Sequence, residues 1–154
     1  MALGDSGWTL NQEIPSDTSF GSVLVDGLLD AMTERRWTEH ALFQVQLAYE
    51  EAITNAIRHG NGCEASKSVN VEMKCDDYRV WIQITDQGDG FDPQSVPDPR
   101  QDELLEVPGG RGVLIIGQVM SEVRYNSRGN QVTMVKFKHD DMPRPCDGDD
   151  GGGN

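Results

Sequence analysis

Between residues 69 and 84 apolar and polar side chains alternate with a period of two. Val69, Val71, Met73 and Cys75 share one side of a run, and after Asp76-Asp77 the pattern resumes with Tyr78, Val80, Ile82 and Ile84. A strand points successive residues to opposite faces, so the pattern predicts a hairpin with one dry face and one wet face. Two strands alone cannot hold such a face together in water, and something apolar must cover it. The preceding segment supplies the cover. Ala41, Leu42, Val45, Ala48, Ala52 and Ala56 recur at helical spacing, Thr38 is placed to cap that helix, and Gly60-Asn61-Gly62 stops it after His59.

The flanking segments extend the same two layers. Trp8 to Ile14 reads as a first strand, after which Pro15 and either Ser16 or Asp17 turn the chain into a helix running to about Trp37, weakened by Gly21 and Gly27. Residues 92–109 carry four of the seven prolines together with Asp98, Asp102, Glu103 and Glu106, the composition of a long lid-like loop. A short helix from Val113 to Ser121 and strands over Glu122–Ser127 and Asn130–Lys138 complete the pattern. The expected fold is α+β, a two-layer sandwich with helices on one face of a mostly antiparallel mixed sheet. Residues 1–139 form one domain in this reading, and the acidic, Gly-rich residues 140–154 a disordered tail.

A chain of 154 residues is long enough for one well-buried domain and too short for two ordinary ones. Its formal net charge of −13 argues against a nucleic-acid partner, because binding to phosphate backbones rests on basic patches. No apolar run approaches a membrane span, and the N-terminus has the form of no export signal. Cys63, Cys75 and Cys146 have neither CxxC spacing nor an even count, so neither a disulfide framework nor a zinc site is expected, and a reducing cytoplasm is the expected compartment.

Three short segments carry chemistry. In Glu51-Ala-Ile-Thr-Asn55-Ala-Ile-Arg58-His59-Gly60 a carboxylate and an amide stand four residues apart on a helix, so both project from one face about 6 Å apart along the axis. That pairing suits a base beside a magnesium ligand. In Asp86-Gln-Gly88-Asp-Gly90-Phe91 an acid ends an apolar strand, and two glycines let backbone approach a flat ligand. In Gly109-Gly110-Arg111-Gly112 small residues open a helix, as an anion site requires. No lysine followed by Ser or Thr accompanies these glycines, so a Walker A loop is absent. Asp86, Asp89 and Asp92 lack the ligand ladder of a calcium loop.

In this order the segments resemble the N box, G1 box and G2 box of the GHKL ATP-binding superfamily over roughly residues 8–138. The first resembles most closely the N box of the bacterial anti-sigma-factor serine kinases. The resemblance implies ATP and Mg²⁺ as cofactors, with Asn55 as the metal ligand and Glu51 as general base or aligner of the attacking hydroxyl. It implies that Asp86 accepts a hydrogen bond from the adenine amino group, that Gly88 and Gly90 turn tightly against the ring, and that Gly110 and Gly112 offer N–H groups to the phosphates. Arg111 either supplies charge there or faces solvent. Arg58 reads as a phosphate contact or surface charge, and His59 as a helix-end residue capping carbonyls before a catalyst.

The implied activity is transfer of the γ-phosphoryl group of ATP to serine or threonine of an anti-anti-sigma antagonist, by a protein that also sequesters a sigma factor; a homodimer is in keeping with the family. Two alternatives stay open: a non-catalytic protein that sequesters a partner on the same fold, and a histidine-kinase-type catalytic domain. The second fits less well, because those domains carry Asn where Glu51 stands. The chain departs from the family at Gly129-Asn130, where a Thr commonly follows the glycine, which leaves Asn130 as the candidate phosphate contact from the last strand.

Overall fold

The computed structural model describes residues 7–88 and 110–141. The expected lid over 92–109, together with Gly90, lies outside them, as does the tail beyond Asp141. Strand β1 (Trp8–Pro15) leads into helix α1 (Thr18–Glu34), where the side chain of Asp17, not Ser16, caps the first turn by accepting the N–H of Ser19 at 2.9 Å. The helix stops short of the predicted Trp37. Arg36 takes a left-handed conformation with φ of 64°, which turns Trp37 into the core, where its indole N–H donates to the carbonyl of Asp76 at 3.2 Å.

Helix α2 (Glu39–Thr54) begins at the predicted cap, Thr38, whose hydroxyl accepts the N–H of Ala41 at 3.0 Å. It does not continue as an α-helix to His59. Asn55–Gly60 forms a π-helical turn instead, in which the N–H of Asn61 reaches back five residues to the carbonyl of Ala56 at 2.8 Å. A single π turn is too short to impose a period of its own on the side chains, so the sequence pattern could not reveal it.

Strands β2 (Ser68–Cys75) and β3 (Arg79–Thr85) form the predicted hairpin, followed beyond the undescribed stretch by α3 (Gly110–Val119), β4 (Glu122–Tyr125), β5 (Gln131–Phe137) and a last tight turn, Lys138–Asp141. The strands lie in the order β1-β2-β3-β5-β4, and every neighbouring pair is antiparallel, so no parallel pairing is found among the described residues. The α+β class and the two layers are as expected.

Val69, Val71, Met73, Val80, Ile82, Ile84 and Met134 line the dry face and pack against Val25, Leu28, Met32, Val45, Tyr49, Ile53 and Ile57 from the helices. Each such side chain contributes on the order of 1.5–3 kcal/mol by leaving water. Tyr78 is the exception to the alternation: it sits in the turn before β3 and is 78% exposed, because Asp76 accepts the N–H groups of both Tyr78 and Arg79 and delays the strand by one residue. Lys136 is buried, and its ammonium donates to the carbonyl of Val119 at 3.0 Å, satisfying the C-terminal end of α3. No helix among the described residues is long and apolar enough to cross a membrane.

Candidate functional site

The three chemistry-bearing segments come together around the end of α2. At the α2 end of the site, Glu51 and Asn55 project toward the first turn of α3. A Cβ placed on Gly112 would stand 2.7 Å from Asn55 Nδ2 and 3.2 Å from Glu51 Oε1. Any larger residue there would push the ends of these two side chains aside, so glycine lets the carboxylate, the amide and the helix start lie together. Gly110 is the first residue of α3, three positions earlier than the predicted start near Val113, so both glycines lie within its first turn, where backbone N–H groups point outward unpaired by the helix itself.

At the other end of the π turn, Gly60 carries the second half of the site. A Cβ on Gly60 would overlap the carboxyl group of Asp86, and one on Gly88 would overlap the carbonyl oxygen of Gly60. The turn after β3 is thus laid directly on the backbone of Gly60. Asp86 Oδ1 accepts the N–H of Gly88 at 2.8 Å, which closes that turn. Partial burial raises the Asp86 carboxyl above its ordinary pKa, opposed by the Gly88 N–H and by the positive charges of Arg128 and Lys67. A half-buried carboxylate with its second oxygen beside Gly60 can accept from a flat, donor-bearing group.

Asn130 lies on the Asp86 side. Its Nδ2 donates to the Asp86 carbonyl at 3.0 Å, its own carbonyl accepts the Asp86 N–H at 2.9 Å, and its Oδ1 accepts from Asn126 at 2.8 Å. Its side chain thus ties β5 to the end of β3. Arg58 is not brought to either cluster. It is exposed and lines a shallow groove with Ser16, Asp17, Phe20 and Ile57 at the start of α1, and His59 beside it is exposed. The π turn is the reason: its wider winding offsets residues after Asn55 from the face that Glu51 and Asn55 share. Gly90 lies outside the described residues, and Arg111 lies in the first turn of α3.

Sequence reasoning missed Asn61, Lys67 and Arg128, which surround Asp86. Arg128 Nη2 reaches the carbonyl of Gly88 at 3.4 Å, and Asn61 Oδ1 accepts the N–H of Gln87 at 2.7 Å. Asn61 sits between two glycines and Arg128 in a hairpin turn, so both read as ordinary turn residues. No group of three or more His, Cys, Asp or Glu side chains able to hold a metal is found among the described residues. A magnesium ion carried on a nucleotide needs no such group, since phosphates and water fill most of its shell; the cradle of Asn55, Glu51 and Gly112 fits that kind of ion.

A family model described as "Histidine kinase-like ATPase domain" matches residues 21–136, from within α1 to within β5. Among curated proteins the chain is similar to Serine-protein kinase RsbW of Bacillus velezensis, with 26% identity over 137 residues, covering 83% of this chain and 84% of that one. It is 34% identical over 103 residues to the protein of the same name from Bacillus licheniformis, covering 60% and 62% of the two chains. The Bacillus subtilis protein of that name is 24% identical over 137 residues, covering 83% and 84%.

Proposed function

The chain belongs to the histidine kinase-like ATPase domain family, and from that membership we propose that it is an ATP-dependent serine/threonine protein kinase that also acts as an anti-sigma factor. It would sequester a sigma factor and phosphorylate an anti-anti-sigma antagonist in the cytoplasm. The relatives named Serine-protein kinase RsbW support the kinase reading. The observation that carries it is the approach of Glu51 and Asn55 to Gly112, which brings a carboxylate, an amide and a helix start to one point.

In this mechanism Asp86 accepts the hydrogen bond of the adenine amino group, and Gly60 and Gly88 let its turn lie close against the end of the helix. Gly110 and Gly112 present N–H groups to the phosphates, with Arg111 adding charge. Asn55 would hold Mg²⁺, which when bound offsets the charge of the triphosphate. Glu51 aligns the serine hydroxyl of the antagonist and takes its proton as the oxygen bonds to the γ-phosphorus and the bond to the β,γ-bridging oxygen breaks, releasing ADP. The product carries about two additional negative charges, which disfavour its seat on a protein of net charge −13. The same charge favours capture of a basic DNA-binding region of a sigma factor.

Incubation with radiolabelled ATP, Mg²⁺ and a candidate antagonist tests the reading. Transfer to an antagonist serine is expected from the wild type, and Glu51→Ala should lower its rate by about 10²–10⁴-fold with nucleotide binding retained. Binding of a sigma factor with no transfer by the wild type would leave a sequestering protein and overturn the kinase.

A further inference from the structure

Three polar residues are buried among the described ones: Ser16, Asn61 and Lys136. Lys136 serves the end of α3, as described above. Asn61 is 1% exposed and has every part of its amide engaged. Its Oδ1 accepts the N–H of Gln87 at 2.7 Å, and its Nδ2 donates to Ser16 Oγ and to the carbonyl of Ser68, both at 2.9 Å. The orientation of the amide follows from these partners: exchanging its oxygen and nitrogen would set an NH₂ against the N–H of Gln87. The neighbouring contacts brace the same joint, since Ser16 Oγ donates to the carbonyl of Lys67 at 2.8 Å and Gln87 Oε1 accepts the N–H of Ser68 at 2.8 Å.

Gln87 stands between Asp86 and Gly88, and Asn61 follows Gly60, the glycine on which Asp86 and Gly88 both rest. The peptide that Asn61 holds is therefore the one that joins the candidate base-recognising carboxylate to the turn that closes on it. Without this bond the Gln87 N–H would lose its protein acceptor, and the turn would be free to lift from Gly60. We infer that Asn61 is a positioning residue for nucleotide-base recognition: through its hydrogen bond to Gln87 it holds the Asp86–Gly88 turn against Gly60 and so sets the direction of the Asp86 carboxylate. The inference rests on the reading of Asp86 as the adenine contact.

A carboxylate so directed accepts from the amino group at position 6 of adenine and repels the oxygen at the same position of guanine. The readout is therefore base selectivity as well as affinity, which a general loosening of the fold would not single out. Full-length Asn61→Ala, Ser16→Ala and Asp86→Asn proteins are titrated with Mg·ATP and Mg·GTP by calorimetry, with thermal melts alongside. Asn61→Ala should lose about tenfold in ATP affinity and a similar factor in preference for ATP over GTP. Ser16→Ala breaks the same network at the end remote from Asp86 and should keep both within about twofold.

If Asn61→Ala does not fold, Asn61→Ser, whose oxygen is too short to reach Gln87, is held to the same criterion. Unchanged affinity and selectivity in the Asn61 variant, beside a loss in Asp86→Asn, would overturn the positioning role alone. A loss in Ser16→Ala equal to that in Asn61→Ala would also overturn it, as a general loosening. If Asp86→Asn itself binds ATP and GTP as the wild type does, the adenine-contact reading fails and the inference falls with it.

Discussion

The carboxylate of Asp86 lies so close over the α-carbon of Gly60 that no side chain fits between them. Helix end and strand end, twenty-six positions apart in the sequence, meet there backbone to side chain. Gly60→Ala should therefore push the carboxylate away, since the short Asp side chain cannot bend aside and keep its bond to the Gly88 N–H. A loss of about tenfold or more in ATP affinity by calorimetry is expected, with the fold retained. Wild-type affinity in the variant would show that the contact plays no part in binding.

The pH dependence of the same carboxyl gives a second test. Burial raises its pKa above the ordinary 3.8, so the folded protein keeps this proton to a higher pH than the unfolded chain does. Through the window between the two values the native state binds more protons, stability falls as the pH rises, and the whole penalty is present above the raised pKa. Asp86→Asn has no such slope. Its melting temperature relative to wild type should climb as the pH rises from about 3.8 and then level off; a difference independent of pH would contradict burial as the cause. The same variant should bind ATP more weakly by about 1–3 kcal/mol at neutral pH.

Gly112→Ala would place a carbon 2.7 Å from Asn55 Nδ2 and 3.2 Å from Glu51 Oε1. Displacement of the proposed catalytic pair by a fraction of an ångström to an ångström should cut phosphoryl transfer by about 10²-fold. Gly117→Ala is the comparison. It lies in the same helix on its exposed side with no described atom within 4 Å, and should leave transfer unchanged while raising stability by about 0.5–1 kcal/mol. Equal losses in both would point to the helix as a whole.

Tyr49 is fully buried, and its hydroxyl donates to the carbonyl of Gly21 at 2.6 Å, where α1 and α2 cross. Close packing at that crossing leaves no room on Gly21 for a Cβ, which would stand 2.7 Å from Ile53 Cγ1. Tyr49→Phe removes this bond while the Gly21 carbonyl keeps its place in the α1 helix, and should cost about 0.5–1.5 kcal/mol in chemical denaturation without altering the slope of the transition. A change under a few tenths of a kcal/mol would mean that the hydroxyl adds nothing beyond the packing of the ring.

The elements were legible where one face of a segment is buried. Val69 to Ile84 and Ala41 to Ala56 declared the hairpin and its covering helix because burial imposes a period on the side chains. Thr38 declared its cap because the chemistry of an N-cap is local. The π turn at Asn55–Gly60 left no such mark: it is a property of backbone hydrogen bonding, and its consequence, the removal of Arg58 from the side of Glu51, follows only from winding. Tyr78 continued the alternation but belongs to the turn that Asp76 organises. The meeting of Gly60 with Asp86 and the burial of Asn61 are tertiary, and a glycine-flanked asparagine looks like any turn from the sequence alone.

Thr85 and Gln131 are register partners on adjacent strands, and the next residues outward, Asp86 and Asn130, are bonded through both backbone and side chain. The segment between Asp86 and Asn130, which carries α3 and the edge strand β4, is therefore fastened at its base by two bonds. The entropy of closing a chain segment grows only with the logarithm of its length, so a change in the number of residues between these two bonds costs the sheet little. The clasp between Asp86 and Asn130 in this way holds the two strand ends together whatever length of chain hangs between them, as a hinge pin serves doors of different width.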